Sequence, residues 1–272
     1  MSLLPQVDQF LFSHVGYPYM RITRDDSSFE RILYLIQFLR SRNERVRLLD
    51  VGCGGAISLY MVEREIPDLV SGFVGADFKA SRLYARYKGF KTPHEFHDTN
   101  LDDDWNFGQF DVAWCSECLE HIVDDNGVFK KICRLVKPGG YIVVSMPSEA
   151  HRKNNAGNMP ELMETSPTQD GGHVRVGYTP ESLVDLARGT SAELVQVDAI
   201  TRCDATYLRR RYHWSPALQP LRNTYYTLTR NESDFYALSA KPGDLREFQS
   251  IAAVYRVAAS SGYSAALVPC KS

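Results

Sequence analysis

The chain has 272 residues, 44% of them hydrophobic, which suits one large α/β domain, residues 1–272, better than two independent domains. Its formal net charge of -2 argues against a dedicated nucleic-acid or anionic-membrane binder. No apolar run approaches the ~20 residues of a membrane span, and no basic region precedes a long apolar core at the N-terminus. We therefore expect a cytoplasmic protein, and the sequence assigns it no oligomeric state.

Strands and helices alternate along the first half of the chain. Residues 1–45 are predicted to form an N-terminal helical cap. The strand "VRLLDV" then leads to the helix "ISLYMVERE", and the strand "SGFVGAD" to the helix "KASRLYARYK". A short third strand ends near "FHD", the fourth is "FDVAWCS", and the helix "NGVFKKICRLV" is stopped by "KPGG" before the strand "YIVVSMP". This alternation predicts a parallel sheet covered on both faces.

The alternation is interrupted after the fifth strand. Residues 148–178 form a polar segment that is too long for an ordinary connection in a compact domain. A helix from "TPESLVDLA" and a strand "AELVQVDAI" follow, and an Arg/Tyr-rich insertion, residues 203–247, precedes the last strand "SIAAVYRVAA". We expect both long segments to form a lid over a substrate site, because such segments often carry function.

The stretch "LLDVGCGGAISLYM" predicts a strand, a glycine turn and a helix, an arrangement that offers backbone N–H groups to a nucleotide. A dinucleotide site, as in an NAD-dependent dehydrogenase, would fit poorly, because Leu59 and Tyr60 stand where small residues are expected. Asp50, two residues before Gly52, would repel a pyrophosphate and would suit an ammonium or sulfonium group. The turn therefore favours a cationic nucleoside ligand.

These residues resemble motif one of the class I S-adenosylmethionine-dependent methyltransferases, acid-x-Gly-x-Gly-x-Gly, with Ala56 in place of the last glycine. The resemblance continues in order through Asp77, Asp98, "CSECLEHI" and "LVKPGGYIVVSMP". It implies an α/β fold with a Rossmann-like, doubly wound sheet of seven strands in the order 3-2-1-4-5-7-6, the last strand antiparallel, with a helical lid. It also implies S-adenosyl-L-methionine as cofactor and S-adenosyl-L-homocysteine as product.

The resemblance assigns the cofactor to the strand ends. Asp77 is expected to take both ribose hydroxyls, or to cap a helix, and Phe78 to pack on the adenine face or in the core. In the family an acid such as Asp98 faces the adenine amino group, and the next residue, Thr99, offers its backbone N–H. The full expected set is Asp50, Gly52, Cys53, Gly54, Asp77, Phe78, Asp98, Thr99, Cys115 and, for the methionine carboxylate or the acceptor, Tyr17, Tyr19 or Arg21.

The segment "SECLEHI" carries the catalytic candidates. If the turn is helical, Glu117, Glu120 and His121 lie at i, i+3 and i+4 on one face. This set resembles the Glu-x-x-Glu-His of ubiquinone-pathway O-methyltransferases and small-RNA 2′-O-methyltransferases, in which a further histidine, here His151 or His173, follows strand five. Those residues would bind a divalent metal. Packing, capping or substrate contact is favoured, because many members of the class carry Leu-Glu-His without a metal.

Methyl transfer to a hydroxyl needs alignment of donor and acceptor and a base within roughly 3 Å of the proton. His121 is the favoured base, followed by His173 and His151, because imidazole titrates near neutral pH, and Glu117 is a further catalytic candidate. A structural role is the alternative for each histidine. Cys115 and Cys118 form a Cys-x-x-Cys pair, but no second pair stands at the spacing of a zinc site, so we expect incidental reduced thiols.

The stretch "YLRRRYHWSPALQPLRNTYYTLTR" contains candidate residues for binding the methyl acceptor. Interleaved arginines and aromatics suit an aromatic or sugar-derived acceptor with a carboxylate or phosphate, or a single-stranded nucleic acid, and a solvated basic face is an equal alternative. The acidic overall balance favours O-methylation of a small molecule. A metal-assisted RNA 2′-O-methyltransferase, an N- or C-methyltransferase and a non-catalytic S-adenosylmethionine-binding protein remain alternatives.

Overall fold

The structure is a computed structural model that describes residues 26–78, 80, 90–100, 103–150, 173–202, 236–237 and 248–259. The helices of these ranges are α1 (Asp26–Arg42), α2 (Ile57–Glu65), α3 (Asp125–Leu135) and α4 (Pro180–Leu186), with 3₁₀ turns at Pro67–Leu69 and Leu119–His121. The strands are β1 (Val46–Val51), β2 (Val70–Asp77), β3 (His94–Asp98), β4 (Phe110–Ser116), β5 (Val136–Pro147), β6 (Ala192–Arg202), β7 (Tyr236–Ala237) and β8 (Phe248–Val257).

The strands form one sheet with the order β3-β2-β1-β4-β5-β8-β6-β7. The first five strands of that order run parallel, and β8 is antiparallel to both of its neighbours, β5 and β6. Without the two-residue β7, which extends the edge beside β6, the order is the predicted 3-2-1-4-5-7-6 with an antiparallel last strand. The predicted Rossmann-like α/β fold is confirmed.

Two apolar layers cover the sheet, one on each face. The first lies under α1 and α2, where Trp114 and Val143 point away from the other layer. The second lies under α3 and α4 and includes Phe129 and Leu183. Both faces of the central strands are therefore buried, which explains why their sequences are continuous apolar runs rather than alternating ones. Functional side chains are therefore expected at the polar edge formed by the carboxyl ends of the strands.

The structure corrects the predicted boundary between the fourth helix of the sequence and strand five. Helix α3 ends at Leu135 and β5 begins at once at Val136, which pairs with Phe110. The "KPGG" segment therefore lies inside a register shift of β5, where Gly139 has a φ of 83°. Most of the predicted helix "KASRLYARYK" and residues 1–25 of the predicted cap lie outside the described residues, as do most of the two predicted lid segments.

No helix within the described ranges is both long enough and apolar enough to span a bilayer.

Candidate active site

The glycine turn between β1 and α2 is held against β2. The N–H groups of Gly52 and Cys53 both donate to the carbonyl of Ala76, at 2.8 and 3.2 Å. Gly52 has a φ of 72°, and Ala56, at the third glycine position of the motif, keeps a left-handed φ of 59°. The substitution by alanine therefore leaves the shape of the turn intact, at a strain cost that glycine would avoid.

Two carboxylates flank this turn. Asp77 is half-buried, and its Oδ2 accepts a hydrogen bond of 3.0 Å from the N–H of Gly54. Asp50 is only 2% exposed, and in the described part of the chain its Oδ2 finds no hydrogen-bond partner. Burial raises the pKa of Asp50 well above its ordinary value, and the negative charge of Asp77 raises it further. A buried carboxyl of this kind is costly unless a cation or a donor arrives to satisfy it.

The residues expected at the adenine end lie along β2 and β3. Phe78 is 54% exposed, so its ring is accessible to a ligand. Asp98 is exposed and pairs in register with Asp77. The N–H of Thr99 donates to the carbonyl of Asp77 at 3.0 Å, because the ladder between the strands continues for one more residue. That N–H is therefore engaged by the sheet rather than offered to a ligand.

The two cysteines expected at the cofactor are turned inward. Cys115 is 1% exposed and belongs to the apolar layer of α3 and α4. Cys53 is 6% exposed, and its Sγ lies 2.9 Å from the position that a Cβ on Gly75 would occupy. Burial is the main cause that raises the Cys53 thiol pKa, so it remains protonated at neutral pH. The burial of both side chains does not support a cofactor contact through their thiols.

The structure corrects the geometry predicted for "SECLEHI". Glu117 adopts a left-handed φ of 48°, and its N–H donates to the carbonyl of Ser145 at 2.8 Å. A short 3₁₀ turn then covers Leu119–His121. Glu117 therefore does not share a helical turn with the other two candidates, because pairing between β4 and β5 continues through its backbone. The predicted i, i+3, i+4 face does not form.

Glu120 is nevertheless a deeply buried acid of the site. It is fully buried, and neither carboxylate oxygen has a hydrogen-bond partner among the residues that the structure describes. Burial raises its pKa well above the ordinary value, and the charge of Glu117 raises it further. The two acids are therefore close enough to repel each other although they belong to different turns.

Two histidines lie next to this acid. The rings of His121 and His173 have centroids 4.6 Å apart and stand nearly perpendicular. Ligand atoms of Glu120, His121 and His173 all lie within 4.8 Å of one another. The carbonyl of Glu120 also accepts the N–H of Val174 at 2.9 Å, which fastens the segment that carries His173. His151, the other histidine predicted to join, lies outside the described residues.

Arg31 on α1 is a site residue that was not predicted from the sequence. Its Nη1 lies 3.8 Å from Oε2 of Glu117, and its side chain is 13% exposed. Its charge acts against burial by lowering the pKa of Glu120. The sequence feature that could have indicated Arg31 is its position directly before the apolar stripe of α1. Arg21, the arginine expected at the cofactor, lies outside the described residues.

A family model described as "Methyltransferase domain" matches residues 24–197, more than half of the chain. The chain belongs to this methyltransferase-domain family. The resemblance to class I S-adenosylmethionine-dependent methyltransferases is confirmed, and the matched residues include every strand from β1 to β5 and both histidines of the site.

Curated relatives match shorter parts of this methyltransferase. The ubiquinone biosynthesis O-methyltransferase of Pectobacterium atrosepticum is 35% identical over 100 residues, which are 36% of this chain and 42% of that protein. The protein of the same name from Shewanella pealeana is 30% identical over 159 residues, 57% of this chain and 65% of that protein. The chain thus spans less than half of the first relative and under two thirds of the second.

Among solved structures, an S-adenosylmethionine-dependent methyltransferase from Mesorhizobium loti superposes on this methyltransferase with a TM-score of 0.52 at 16% identity. The match covers 82% of this chain and 96% of that one. At this identity the similarity establishes the shared fold.

Proposed function

We propose that this methyltransferase transfers the methyl group of S-adenosyl-L-methionine to a hydroxyl group of a small molecule, of aromatic or sugar-derived type. The observation that carries the cofactor is Asp50, a buried carboxyl whose Oδ2 has no hydrogen-bond partner among the described residues, beside a glycine turn tied to Asp77. A ligand with an ammonium and a sulfonium group supplies the positive charge that this carboxyl lacks. The O-methyltransferase names of the relatives support the hydroxyl acceptor.

In this proposal the cofactor supplies an activated methyl group, and the chain's residues bind and orient it. Asp77 keeps one oxygen on the N–H of Gly54 and offers its remaining acceptor capacity to the ribose hydroxyls. Phe78 offers an exposed ring for the adenine. Arg31, which lies within the described residues and 3.8 Å from Glu117, joins Arg21 as a candidate for the methionine carboxylate.

His121 is the base that we assign to the acceptor hydroxyl. Its side chain is 30% exposed, so it is reachable from the open side of the site, and its Nε2 lies 3.9 Å from Oε1 of Glu120. Glu120 in its ionised form would stabilise, at that distance, the imidazolium that forms when the hydroxyl proton is taken. His173 lies at the edge of the same ring and is the second candidate.

The test combines binding with transfer. Wild-type protein is titrated with S-adenosyl-L-homocysteine by calorimetry, and transfer of labelled methyl groups is measured with a panel of phenols and sugars. Asp50→Asn and Asp77→Asn are expected to weaken binding at least tenfold, whereas Asp111→Asn, an acid paired with Lys137 at the other end of the sheet, is expected to leave it unchanged. Stabilisation by NAD and not by S-adenosyl-L-homocysteine would contradict the proposal.

The transfer arm separates the alternatives. Labelled RNA, with no labelled small molecule, would favour the 2′-O-methyltransferase, and labelled amines or carbon acids would favour N- or C-methylation. Binding without any transfer would favour a non-catalytic binder. A variant His121→Ala that keeps its turnover rate within a few-fold of wild type would rule out His121 as the base.

A second candidate function, a divalent cation site, is favoured by Glu120. Its two carboxylate oxygens, which have no hydrogen-bond partner among the described residues, lie with His121 and His173 in a group whose ligand atoms are within 4.8 Å of one another. One carboxylate and two imidazoles suit Mn²⁺, Co²⁺ or Zn²⁺ better than Mg²⁺, which prefers oxygen ligands. Such an ion would orient the acceptor and acidify its hydroxyl. Glu117 remains the further ligand that the sequence analysis predicted.

The cation is tested by equilibrium dialysis with Mn²⁺ after chelator treatment. We expect binding by wild type, its loss in Glu120→Gln and its retention in Glu95→Gln, an exposed acid on β3. Turnover that does not change with the chelator would leave the proposed methyl transfer standing without a metal.

The cytoplasmic location, the single-domain organisation and the lid of residues 148–178 and 203–247 stay predictions.

A further inference from the structure

Trp114 on β4 is a fully buried side chain whose indole N–H has no hydrogen-bond partner among the described residues. A buried tryptophan usually finds an acceptor for this group, because an N–H that leaves water without one destabilises the fold. Apolar packing alone does not explain the indole, since Val112, on the same face of β4, fills the layer without a polar atom. The indole N–H therefore needs an acceptor from outside the described part of the chain.

Asp50 is the neighbour of Trp114 across the sheet. The two residues are partners in the parallel register of β1 and β4, and adjacent strands of a sheet lie about 4.8 Å apart. The residues that precede them, Leu49 and Ala113, belong to the apolar layer under α3 and α4. Because side chains alternate between the two faces of a strand, Asp50 and Trp114 both point towards the layer under α1 and α2. Their side chains are therefore neighbours on one face of the sheet.

The two neighbours have complementary needs. In the described part of the chain, Oδ2 of Asp50 is an acceptor without a donor, and Nε1 of Trp114 is a donor without an acceptor. The two side chains do not satisfy each other, although their strands are paired at this position. A ligand group that donates to the carboxylate and accepts from the indole would satisfy both at once.

An α-amino-acid group carries both functions on one carbon atom, and the proposed cofactor has such a group at its methionine end. The ammonium donates hydrogen bonds, and the carboxylate accepts them. Charge decides the orientation: the ammonium faces Asp50, because the reverse arrangement would place two carboxylates against each other. The ligand carboxylate is then left for the neutral N–H of Trp114.

We propose that Trp114 is a cofactor-binding residue whose indole N–H donates a hydrogen bond to the carboxylate of the methionine end, while Asp50 accepts one from the ammonium group. This inference rests on the proposed function, because it assumes that the cofactor binds at the glycine turn. An arginine such as Arg31 supplies charge to the same carboxylate, whereas the indole is a rigid donor fixed within the sheet. The pair thereby selects nucleosides that carry a complete amino-acid group.

Selectivity between two ligands tests the pair. Calorimetry measures the affinities for S-adenosyl-L-homocysteine and for its analogue without the carboxylate, and the ratio of the two affinities is compared between proteins. We expect this ratio to be about tenfold smaller in Trp114→Phe than in wild type, because a hydrogen bond to a charged group contributes about that factor. A general loss of packing lowers both affinities and cancels in the ratio.

Trp105→Phe is the matched control. The indole N–H of Trp105 already donates to the carbonyl of Asn100 at 3.1 Å, so its removal should leave the ratio unchanged. A Trp114→Phe ratio equal to that of wild type would overturn the role of Trp114 and leave the proposed function standing. A wild type that binds neither nucleoside would refute both.

A second measurement keeps Trp114 in place and does not depend on the folding of its variant. The chain has three tryptophans, so Trp105→Phe and Trp214→Phe assign the indole N–H signal of Trp114 by elimination in nuclear magnetic resonance spectra. We expect this proton to shift downfield when S-adenosyl-L-homocysteine binds and not when the analogue without the carboxylate binds, because a charged acceptor shortens the hydrogen bond. An unchanged signal at saturation, or the same shift with both ligands, would overturn the proposal.

Discussion

The hydroxyl of Tyr178 donates a hydrogen bond of 2.8 Å to the carboxylate of Asp125, and both residues are buried. The other oxygen of that carboxylate accepts a hydrogen bond of 2.7 Å from Nη2 of Arg175. Residues 173–178, which we call the His173 strap, are thereby fastened to the first turn of α3. Their backbone also meets β5, since the N–H of Tyr178 donates to the carbonyl of Pro147. Asp125 therefore holds the strap that places His173 beside His121.

The first prediction concerns the hydroxyl of Tyr178. Tyr178→Phe is expected to lower the free energy of unfolding by about 2 kcal/mol, because it removes a buried hydrogen bond to a charged carboxylate. Tyr255→Phe is the matched control: its buried hydroxyl donates to a neutral carbonyl, that of Leu183, at 2.8 Å, and its loss is expected to cost about 1 kcal/mol. Urea denaturation measures both, and a Tyr178 variant as stable as wild type would refute the role of the Asp125 pair.

The second prediction separates fastening of the strap from general stability. Asp125→Ala is expected to weaken Mn²⁺ binding about tenfold and to leave the affinity for S-adenosyl-L-homocysteine within about twofold, because it releases His173 and not the glycine turn. Asp124→Ala is the control. Asp124 caps α3 through the N–H of Gly127 at 2.9 Å, so this variant loses about 1 kcal/mol of stability without touching the strap. Equal Mn²⁺ affinities in the two variants would contradict the assignment.

The local backbone of the candidate site was predictable from the sequence. The turn after Asp50 could be predicted because a strand, an acid and closely spaced glycines follow one another within a few residues. The fold followed from the alternation of apolar strands and amphipathic helices, which prescribes a covered parallel sheet. Such features need no knowledge of distant partners.

The parts that depend on distant contacts were not predictable. Tyr178 meets Asp125 across 53 positions of sequence, and Arg31 meets Glu117 only because α1 packs over the sheet. The helical face assumed for Glu117 failed for the same reason, since its backbone conformation is set by the bond to Ser145 on the neighbouring strand. Residue types indicated the chemistry, whereas tertiary packing decided which of them meet.

The third prediction compares two glycines of the turn. Gly54→Ala introduces a side chain at a φ of 50° with nothing within 4 Å of the new Cβ, so it should cost about 1 kcal/mol of backbone strain. Gly52→Ala carries similar strain at a φ of 72°, and its Cβ would also lie 2.8 Å from Cys118. We expect a loss larger by about 1–3 kcal/mol. Denaturation with urea checks the difference, and equal losses would show that Cys118 yields without cost.

The fourth prediction concerns the pH dependence of the unliganded protein. The pKa of Asp50 is raised in the folded state by burial first and by Asp77 second, so its stabilising contribution is complete below the ordinary pKa near 3.8 and is lost as the pH rises through the folded value. At neutral pH the unfolded chain ionises this carboxyl freely in water, whereas the folded chain buries it with no hydrogen-bond partner for Oδ2 among the described residues. Asp50→Asn is therefore expected to raise the free energy of unfolding at neutral pH, by about 1–3 kcal/mol.

This gain should shrink as the pH falls towards and below about 4, because the carboxyl of the unfolded wild-type chain then becomes protonated as well. The control is Asp185→Asn, whose side chain is 60% exposed and pairs with Arg188, and it should show no such gain at neutral pH. Urea titrations at several pH values measure both variants. If Asp50→Asn gains stability and loses affinity for S-adenosyl-L-homocysteine tenfold or more, Asp50 serves the ligand at the expense of the stability of the unliganded fold. If Asp50→Asn is less stable than wild type at neutral pH, the carboxylate is satisfied in the fold without a ligand.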